Sequence, residues 1–343
     1  MSRGGRLLIV GPSWVGDMVM AHALVRDLRS ADPSAEIDIL APTWSLPLIE
    51  RMDGVRQGIG LPIAHGEVAM GKRLAAARQL RGSAYGRAIV LPRSAKAALV
   101  PFLARIPRRT GFRGELRYGL INDIRPFDAQ LLDMTVKRFR ALGTAAPDDE
   151  PGVLLEPTLR VDRTALAATL SRLGLTQPGS GDGRSAVALM PGAEYGPAKQ
   201  WPAARFRALA RQLADSGWDV WVLGSEKERP LGAEIAADGT ARNLCGETSL
   251  VEVVDLLSAA SAAVSNDSGL MHVAAAVGTH VIGLYGSSSP QFTPPLTAHR
   301  TIVSRNLACS PCFARTCHLG HTDCLTGISV AVVRDAISAA VSK

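Results

Sequence analysis

Leu7 to Met20 reads LLIVGPSWVGDMVM, an apolar strand that breaks into a glycine-bracketed turn and restarts as a helix. A turn between Gly11 and Gly16 at the start of a helix invites comparison with phosphate-binding loops, where an anion meets bare amides and the positive helix end. The residues argue otherwise. No lysine follows the second glycine, no glycine stands two places after the first, and Pro12 removes an amide donor. Asp17 stands where the helix begins, and a carboxylate there would repel phosphate. The turn therefore presents an acid to a neutral hydroxyl, which makes Asp17 a candidate general base.

Working outward, Arg6–Val10 reads as a first parallel strand and Val15–Ala31 as the helix after it. Strands follow at 36–41, 55–61 and 87–91, with helices at 66–80, 94–104 and 133–142; the second of these helices leads into IPRRTGFRG. Pro42, Thr43 and Trp44 form a loop at a strand's carboxyl end, where open parallel sheets place ligands. The alternation predicts an α/β, doubly wound parallel sheet with helices on both faces. GTAAPDDEPG and QPGSGDGRS then interrupt the pattern around a helix at 162–173. The second half repeats the first, with strands at 185–190, 218–223, near Asn243, 262–265 and 281–285. Helices alternate with them at 202–216, 231–238, 250–260 and 270–277. The expected organisation is a first Rossmann-like domain over residues 1–160, a linker over 161–184, a second Rossmann-like domain over 185–326 and a closing helix over 327–343.

A chain of 343 residues suits two domains, and 47% apolar with 20% charged residues suits a folded one. No apolar run reaches the roughly 18 to 20 residues a membrane span needs, and the chain enters a strand almost at once rather than a signal peptide. A cytoplasmic protein is expected. The net charge is +7, and its placement is informative. From Arg93 to Arg125 there are eight basic residues (Arg93, Lys96, Arg105, Arg108, Arg109, Arg113, Arg117, Arg125) against two acidic ones (Glu115, Asp123). Such a block is either a solvated face or the site of a polyanionic partner met by bidentate arginines.

The second half holds the phosphate-type turn that the first lacks. In VSNDSGLMHVAAA a strand ends in small polar residues, and Ser268 and Gly269 offer amides where a helix starts. Asp267 either caps that helix or points to a sugar hydroxyl. His272, one turn in, faces ligand or core. At the neighbouring strand ends, PGAEYGPAKQW places Gly192 and Lys199, the lysine able to neutralise a leaving diphosphate. Glu226 follows Gly224-Ser225, where an acid can accept ribose hydroxyls.

The ordered set GPSWVGD (11–17), PGAEYGPAKQWP (191–202), LGSE (223–226) and SNDSGLMH (265–272) resembles the bacterial lipopolysaccharide heptosyltransferases of glycosyltransferase family 9. No single motif is specific; their combination is, and it covers essentially the whole chain. The resemblance implies a GT-B fold, two Rossmann-like domains facing a central cleft. It implies ADP-L-glycero-D-manno-heptose as donor and an inverting transfer that needs no metal and no cofactor. The family's base falls on Asp17, its phosphate-binding lysine on Lys199 and its ribose acid on Glu226. Its pyrophosphate turn falls on Asp267, Ser268 and Gly269, with His272 and Gly192 counted as donor contacts. Some relatives carry hydroxyl residues where this chain has Ala193 and Glu194.

GPSWVGDMVM and NLACSPC are most like the branch of the family that adds the second heptose, which implies heptosyl-Kdo-lipid A as acceptor at the inner face of the cytoplasmic membrane. Ser13, Trp14, Arg93, Arg108, Arg109, Arg113 and Arg117 are the acceptor contacts this implies, the arginines meeting Kdo carboxylates and phosphates. A peripheral association fits a basic chain without a span. Cys309, Cys312, Cys317 and Cys324, with His318 and His321, have zinc-ligand types but irregular spacing, and are read as reduced thiols or a structural clasp. Two other classes stay open: a GT-B-fold sugar-nucleotide epimerase, which would not need the basic face, and a non-catalytic polyanion-binding protein, which would leave Asp17, Lys199 and Glu226 without purpose. Nucleic acid is the weakest partner, with 5% aromatic residues and no recognised module.

Overall fold

A computed structural model describes residues 5–63, 67–146, 149, 151–179 and 184–342. It divides into two compact units, Met1–Thr158 and Leu159–Lys343. In the first, β1 (Arg6–Val10), α1 (Val15–Ala31), β2 (Glu36–Pro42), α2 (Leu46–Ile49) and β3 (Val55–Leu61) are followed by α3 (Met70–Arg81) and β4 (Tyr85–Val90). Then come α4 (Ala95–Leu103), β5 (Arg108–Phe112), β6 (Asp123–Arg125) and α5 (Thr135–Ala141). The strands pair in parallel in the order β3-β2-β1-β4-β5-β6.

The second unit contains α6 (Arg163–Leu173), β7 (Ala186–Met190), α7 (Ala203–Asp215), β8 (Asp219–Val222), α8 (Arg229–Ile235) and β9 (Arg242–Asn243). After these run α9 (Leu250–Ala259), β10 (Ala262–Asn266), α10 (Gly269–Ala276), β11 (His280–Tyr285), β12 (Arg300–Ser304), α11 (Asp323–Thr326) and α12 (Val330–Val341). The order β12-β11-β10-β7-β8-β9 is again all parallel and repeats the first sheet, with β7 in the place of β1. This is the Rossmann order, and it puts the crevice outside the carboxyl ends of β1 and β4 in one unit and of β7 and β10 in the other.

The central strands are buried on both faces, which is why they read as continuous apolar runs rather than alternations: Leu8, Ile9, Ile37, Ile39, Ala88 and Ile89 are fully buried. In the second unit Trp201 and Phe206 meet edge to face at 4.9 Å between ring centres, beneath α12 residues Val333 and Ile337. Each such aromatic contributes roughly 1.5–3 kcal/mol by leaving water.

Three expectations change. IPRRTGFRG, to which no element is assigned from the sequence, contains β5 between β4 and β6, and β6 and β12 are edge strands with no counterpart among the expected ones. β6 and β12 are short and lie at sheet edges, so neither needs a continuous apolar run, while β5 pairs on both sides and its arginines reach partners around it. The helix expected from Gly66 begins at Met70, since the carbonyls of Glu67 and Val68 turn back to accept the Arg73 guanidinium; Gly66 itself lies outside the described residues. Within the expected linker 161–184, residues 163–173 form α6 as part of the second unit. Asp162 caps α6 by accepting from the amides of Thr164 and Ala165, and Arg172 pairs with Glu252 of α9 at 2.6 Å. Parts of both boundary segments, 147, 148, 150 and 180–183, lie outside the described residues.

The junction is sharply placed. Arg140 pairs with Asp27 at 2.6 Å and donates to the carbonyls of Gly152 and Val153, and Arg26 donates to that of Glu156. The Thr158 amide donates to buried His22 Nδ1 at 3.1 Å, so Nε2 carries the proton and donates to the Asp53 carbonyl at 2.8 Å. One residue on, the Leu159 amide donates to the Ala276 carbonyl at 2.9 Å, and Asp162 N donates to Asp255 at 2.8 Å.

Candidate active site

In the first unit the crevice lies where the β1 and β4 loops leave the sheet. The amide of Gly11 donates to the Leu40 carbonyl and that of Leu91 to the Val10 carbonyl, fixing the turn 11–17 beside Pro92-Arg93-Ser94. Asp17 is the third residue of α1 and half-buried, at the amino end of the helix. Ser13 and Trp14 are exposed on the turn, and Trp44 is exposed on the loop after the neighbouring β2.

Part of the basic block is spent on contacts within the unit, which corrects part of the acceptor assignment: Arg117 and Arg125 are buried, and Arg108 and Arg109 are tied to neighbouring groups. Arg117 is 3% exposed and donates to the carbonyls of Pro92 (2.7 Å) and Phe112 (3.2 Å). Arg109 donates to the carbonyls of Ile106, Leu120 and Gly119 at 2.6–3.1 Å. Arg108 (2.8 Å) and buried Arg125 (3.1 Å) pair with Asp123, beside Arg87, whose burial brings it down to about 10. Burial alone would raise the Asp123 carboxyl, but hydrogen bonds from Thr110 and Arg108 outweigh it and hold it below the usual carboxylate range. These arginines tie β5 and β6 to the unit. Arg93 and Arg113 remain exposed and line an open recess of about 1060 Å³ with Ser94, Glu115 and Phe127. Arg93 and Arg138 stand 4.6 Å and 5.0 Å from the Phe127 ring centre, so the recess has an aromatic wall between cations.

In the second unit the β7 and β10 loops converge. Lys199 Nζ donates to Asp267 Oδ2 at 2.6 Å, with the lysine side chain 17% and the aspartate 5% exposed. Thr293 Oγ1 donates to the other carboxylate oxygen at 3.3 Å. Asp267 is therefore not the cap of α10: Ser268 takes the N-cap position, and Gly269 opens the helix with its amides towards the crevice. Asn266 holds the two loops together, donating to the Pro191 carbonyl at 2.7 Å and accepting from the Trp201 amide at 3.0 Å. Trp201 Nε1 donates to the Ile328 carbonyl at 3.1 Å, anchoring the exit of the Lys199 loop in the core.

Glu226 forms a two-point pair with Arg229 at 2.7 Å on an exposed turn, which lowers its carboxyl. The acid beside Gly192 is instead Glu228: a Cβ at Gly192 would come within 3.2 Å of it, and its carboxylate accepts from the Ser225 amide at 2.7 Å. Asn266, Glu228, Thr293 and the buried hydroxyls of Ser287 and Ser288, which have no hydrogen-bond partner among the described residues, lie outside what the motifs predict. A polar run GSSS directly after an apolar strand is the available signal for the serines.

His272 is buried, and its Nδ1 has no partner among the described residues. Burial brings it down to about 4; Asp267 raises it and Lys199 lowers it to smaller extents. A base depressed in the fold binds a proton more readily when unfolded, so its contribution is intact above about 6.5 and is lost as pH falls through 6.5 towards 4. At about 1.4 kcal/mol per unit, the loss is on the order of 3 kcal/mol. Urea unfolding of the wild type and His272→Gln at pH 7, 5.5 and 4 should show a shallower acid decline in the variant; parallel declines would exclude this role for His272.

Among the described residues no group of three or more His, Cys, Asp or Glu is placed to hold a metal ion. The cysteines are free thiols; Cys324 is buried, and burial, then the nearness of Cys309, Cys312 and Cys317, raises it.

Two Rossmann-ordered parallel sheets, with a lysine–aspartate pair and a helix amino end at the switch point of one, define the α/β architecture of GT-B glycosyltransferases. The sequence matches the profile of glycosyltransferase family 9 (heptosyltransferase) over residues 73–323. It is 44% identical to lipopolysaccharide heptosyltransferase 2 of Escherichia coli K12 over 311 residues, 88% of each chain. It is 43% identical to lipooligosaccharide heptosyltransferase 2 of Haemophilus influenzae, covering 87% of this chain and 88% of that one. The solved structure of E. coli ADP-heptose lipopolysaccharide heptosyltransferase II superposes with a TM-score of 0.87 at 39% identity, over 98% of both chains. The chain belongs to glycosyltransferase family 9, the heptosyltransferases.

Proposed function

We propose that this glycosyltransferase moves L-glycero-D-manno-heptose from its ADP derivative to the first heptose of Kdo-lipid A in lipopolysaccharide core synthesis. The observation that carries the reading is the Lys199–Asp267 pair beside the α10 amino end, at the switch point of a sheet that has the nucleotide-binding order. The amides of Ser268 and Gly269 and the Lys199 ammonium receive the diphosphate, and the acid side of the β8 loop receives the ribose. His272, neutral at pH 7, closes the floor of this site without adding charge.

In the reaction Asp17 takes the proton of the attacking heptose hydroxyl, whose oxygen bonds to the anomeric carbon from the face opposite the leaving group. The bond from that carbon to the diphosphate oxygen breaks, ADP leaves, and the configuration inverts. Lys199 stabilises the charge that develops on the diphosphate, and no metal takes part in this scheme. Ser13 and Trp14 hold the acceptor sugar, while Arg93 and Arg113 meet its carboxylates and phosphates. Among the described residues no helix is long and apolar enough to cross a membrane. Attraction of the basic recess to an anionic surface brings the enzyme to the cytoplasmic face, where its lipid-linked acceptor lies.

The test is ADP release from ADP-heptose with and without heptosyl-Kdo-lipid A. Release that depends on the acceptor, with gain of one heptose by it, is expected. No release with both present overturns the proposal, and isomerisation of the donor without acceptor would favour an epimerase.

A further inference from the structure

Tyr195 lies in the Lys199 loop with two cations at its ring. Lys199 Nζ stands 5.1 Å and Arg315 Cζ 5.2 Å from the ring centre. Arg315 comes from the cysteine-rich segment, far along the sequence, and that segment is fastened to the strand-end loops. The Ala198 amide donates to the Arg315 carbonyl at 3.1 Å, and the Phe313 amide to the Ser287 carbonyl at 2.7 Å. Tyr195 Oη donates to the Phe313 carbonyl at 2.9 Å, and Ser310 Oγ to the Gly286 carbonyl. The approach is close enough that a Cβ at Gly196 would fall 2.6 Å from the Arg315 carbonyl oxygen, on a residue whose φ of +156° already favours glycine.

The charges around this loop are otherwise matched. Lys199 is paired with Asp267, Lys227 with Glu194 and Arg229 with Glu226. A diphosphate arriving at Lys199 meets an ammonium whose charge a carboxylate 2.6 Å away has already compensated. Arg315 is exposed, and its guanidinium has neither a carboxylate nor a carbonyl partner among the described residues. Its backbone is held in place while its side chain is left with five unused donors in a planar fork suited to phosphate.

We propose that Arg315 is a second diphosphate-binding residue, which with Lys199 and Tyr195 forms a cation–aromatic–cation clamp on the donor's phosphates. The proposal rests on the reading of the second unit as the nucleotide-sugar site. The cysteine-rich segment then serves to carry a cation to the Lys199 loop.

Calorimetric titration of the full-length wild type, Arg315→Ala and Arg315→Lys with ADP and with adenosine tests it. Arg315→Ala should weaken ADP about tenfold, in keeping with loss of one charge-assisted contact at an exposed position, and leave adenosine within twofold. Arg315→Lys should fall between, since an ammonium keeps the charge without the fork. ADP affinity unchanged in Arg315→Ala, or equal losses for ADP and adenosine, removes Arg315 from the phosphate site while the nucleotide reading stands. A wild type that binds no ADP overturns both.

Discussion

Asp17→Asn is expected to lower turnover by roughly 10² to 10⁴ while ADP binds within twofold of wild type, the range set by loss of a positioned base. The substitution keeps the shape of the side chain at the third position of a 17-residue helix while removing its charge and its capacity to take a proton. Asp17 belongs to the first unit and the diphosphate loops to the second, so donor affinity and turnover should separate cleanly. Steady-state ADP release and calorimetric ADP binding on the same preparation provide both readouts. Turnover near that of wild type would transfer the base role elsewhere. A matching loss of ADP affinity would mean that the residue supports the nucleotide site.

Lys199→Ala should produce the second large effect, and in three quantities together. Turnover should fall by about 10² to 10³, as when a single group that stabilises developing charge is removed. ADP affinity should fall, because Asp267 then faces the diphosphate without its compensating cation. Stability should fall too, by about 3–5 kcal/mol, because the carboxylate is only 5% exposed and keeps just Thr293 as a partner. The double variant Lys199→Ala with Asp267→Asn separates these causes. It should regain most of the unfolding free energy and little of the turnover. Recovery of turnover in the double variant would reduce the lysine to a structural counter-ion.

The fold is legible wherever burial dictates the residues. Runs such as RLLIV and AVALM admit no other reading because both faces of those strands are covered by helices, and the small-residue turns after them mark the crevice loops. What escapes lies at edges and in long-range contacts. RRTGF shows no strand pattern in the sequence; what ties it to the sheet includes Arg108 reaching Asp123 on the next strand, a contact with no local signature. For the same reason the arginine-rich block reads as a surface, although Arg117 and Arg125 are interior. Of the proposed site, Asp17 and Lys199 can be singled out from the sequence because each residue type contradicts its surroundings, an acid in a phosphate-type turn and a cation among glycines and prolines. The choice between capping and pairing for Asp267 needs the distance to Lys199, and the adjacency of Tyr195 and Arg315 joins residues far apart in sequence with no pattern connecting them.

The amide of Thr158 belongs to the hydrogen-bond system of the first unit and that of Leu159 to the second. That peptide bond is a natural splice point. Recombination there between genes for two such transferases would join one proposed acceptor half to another proposed donor half. On that proposed assignment, acceptor preference would be exchanged during evolution, or in the laboratory, as a cassette without redesign of the nucleotide site.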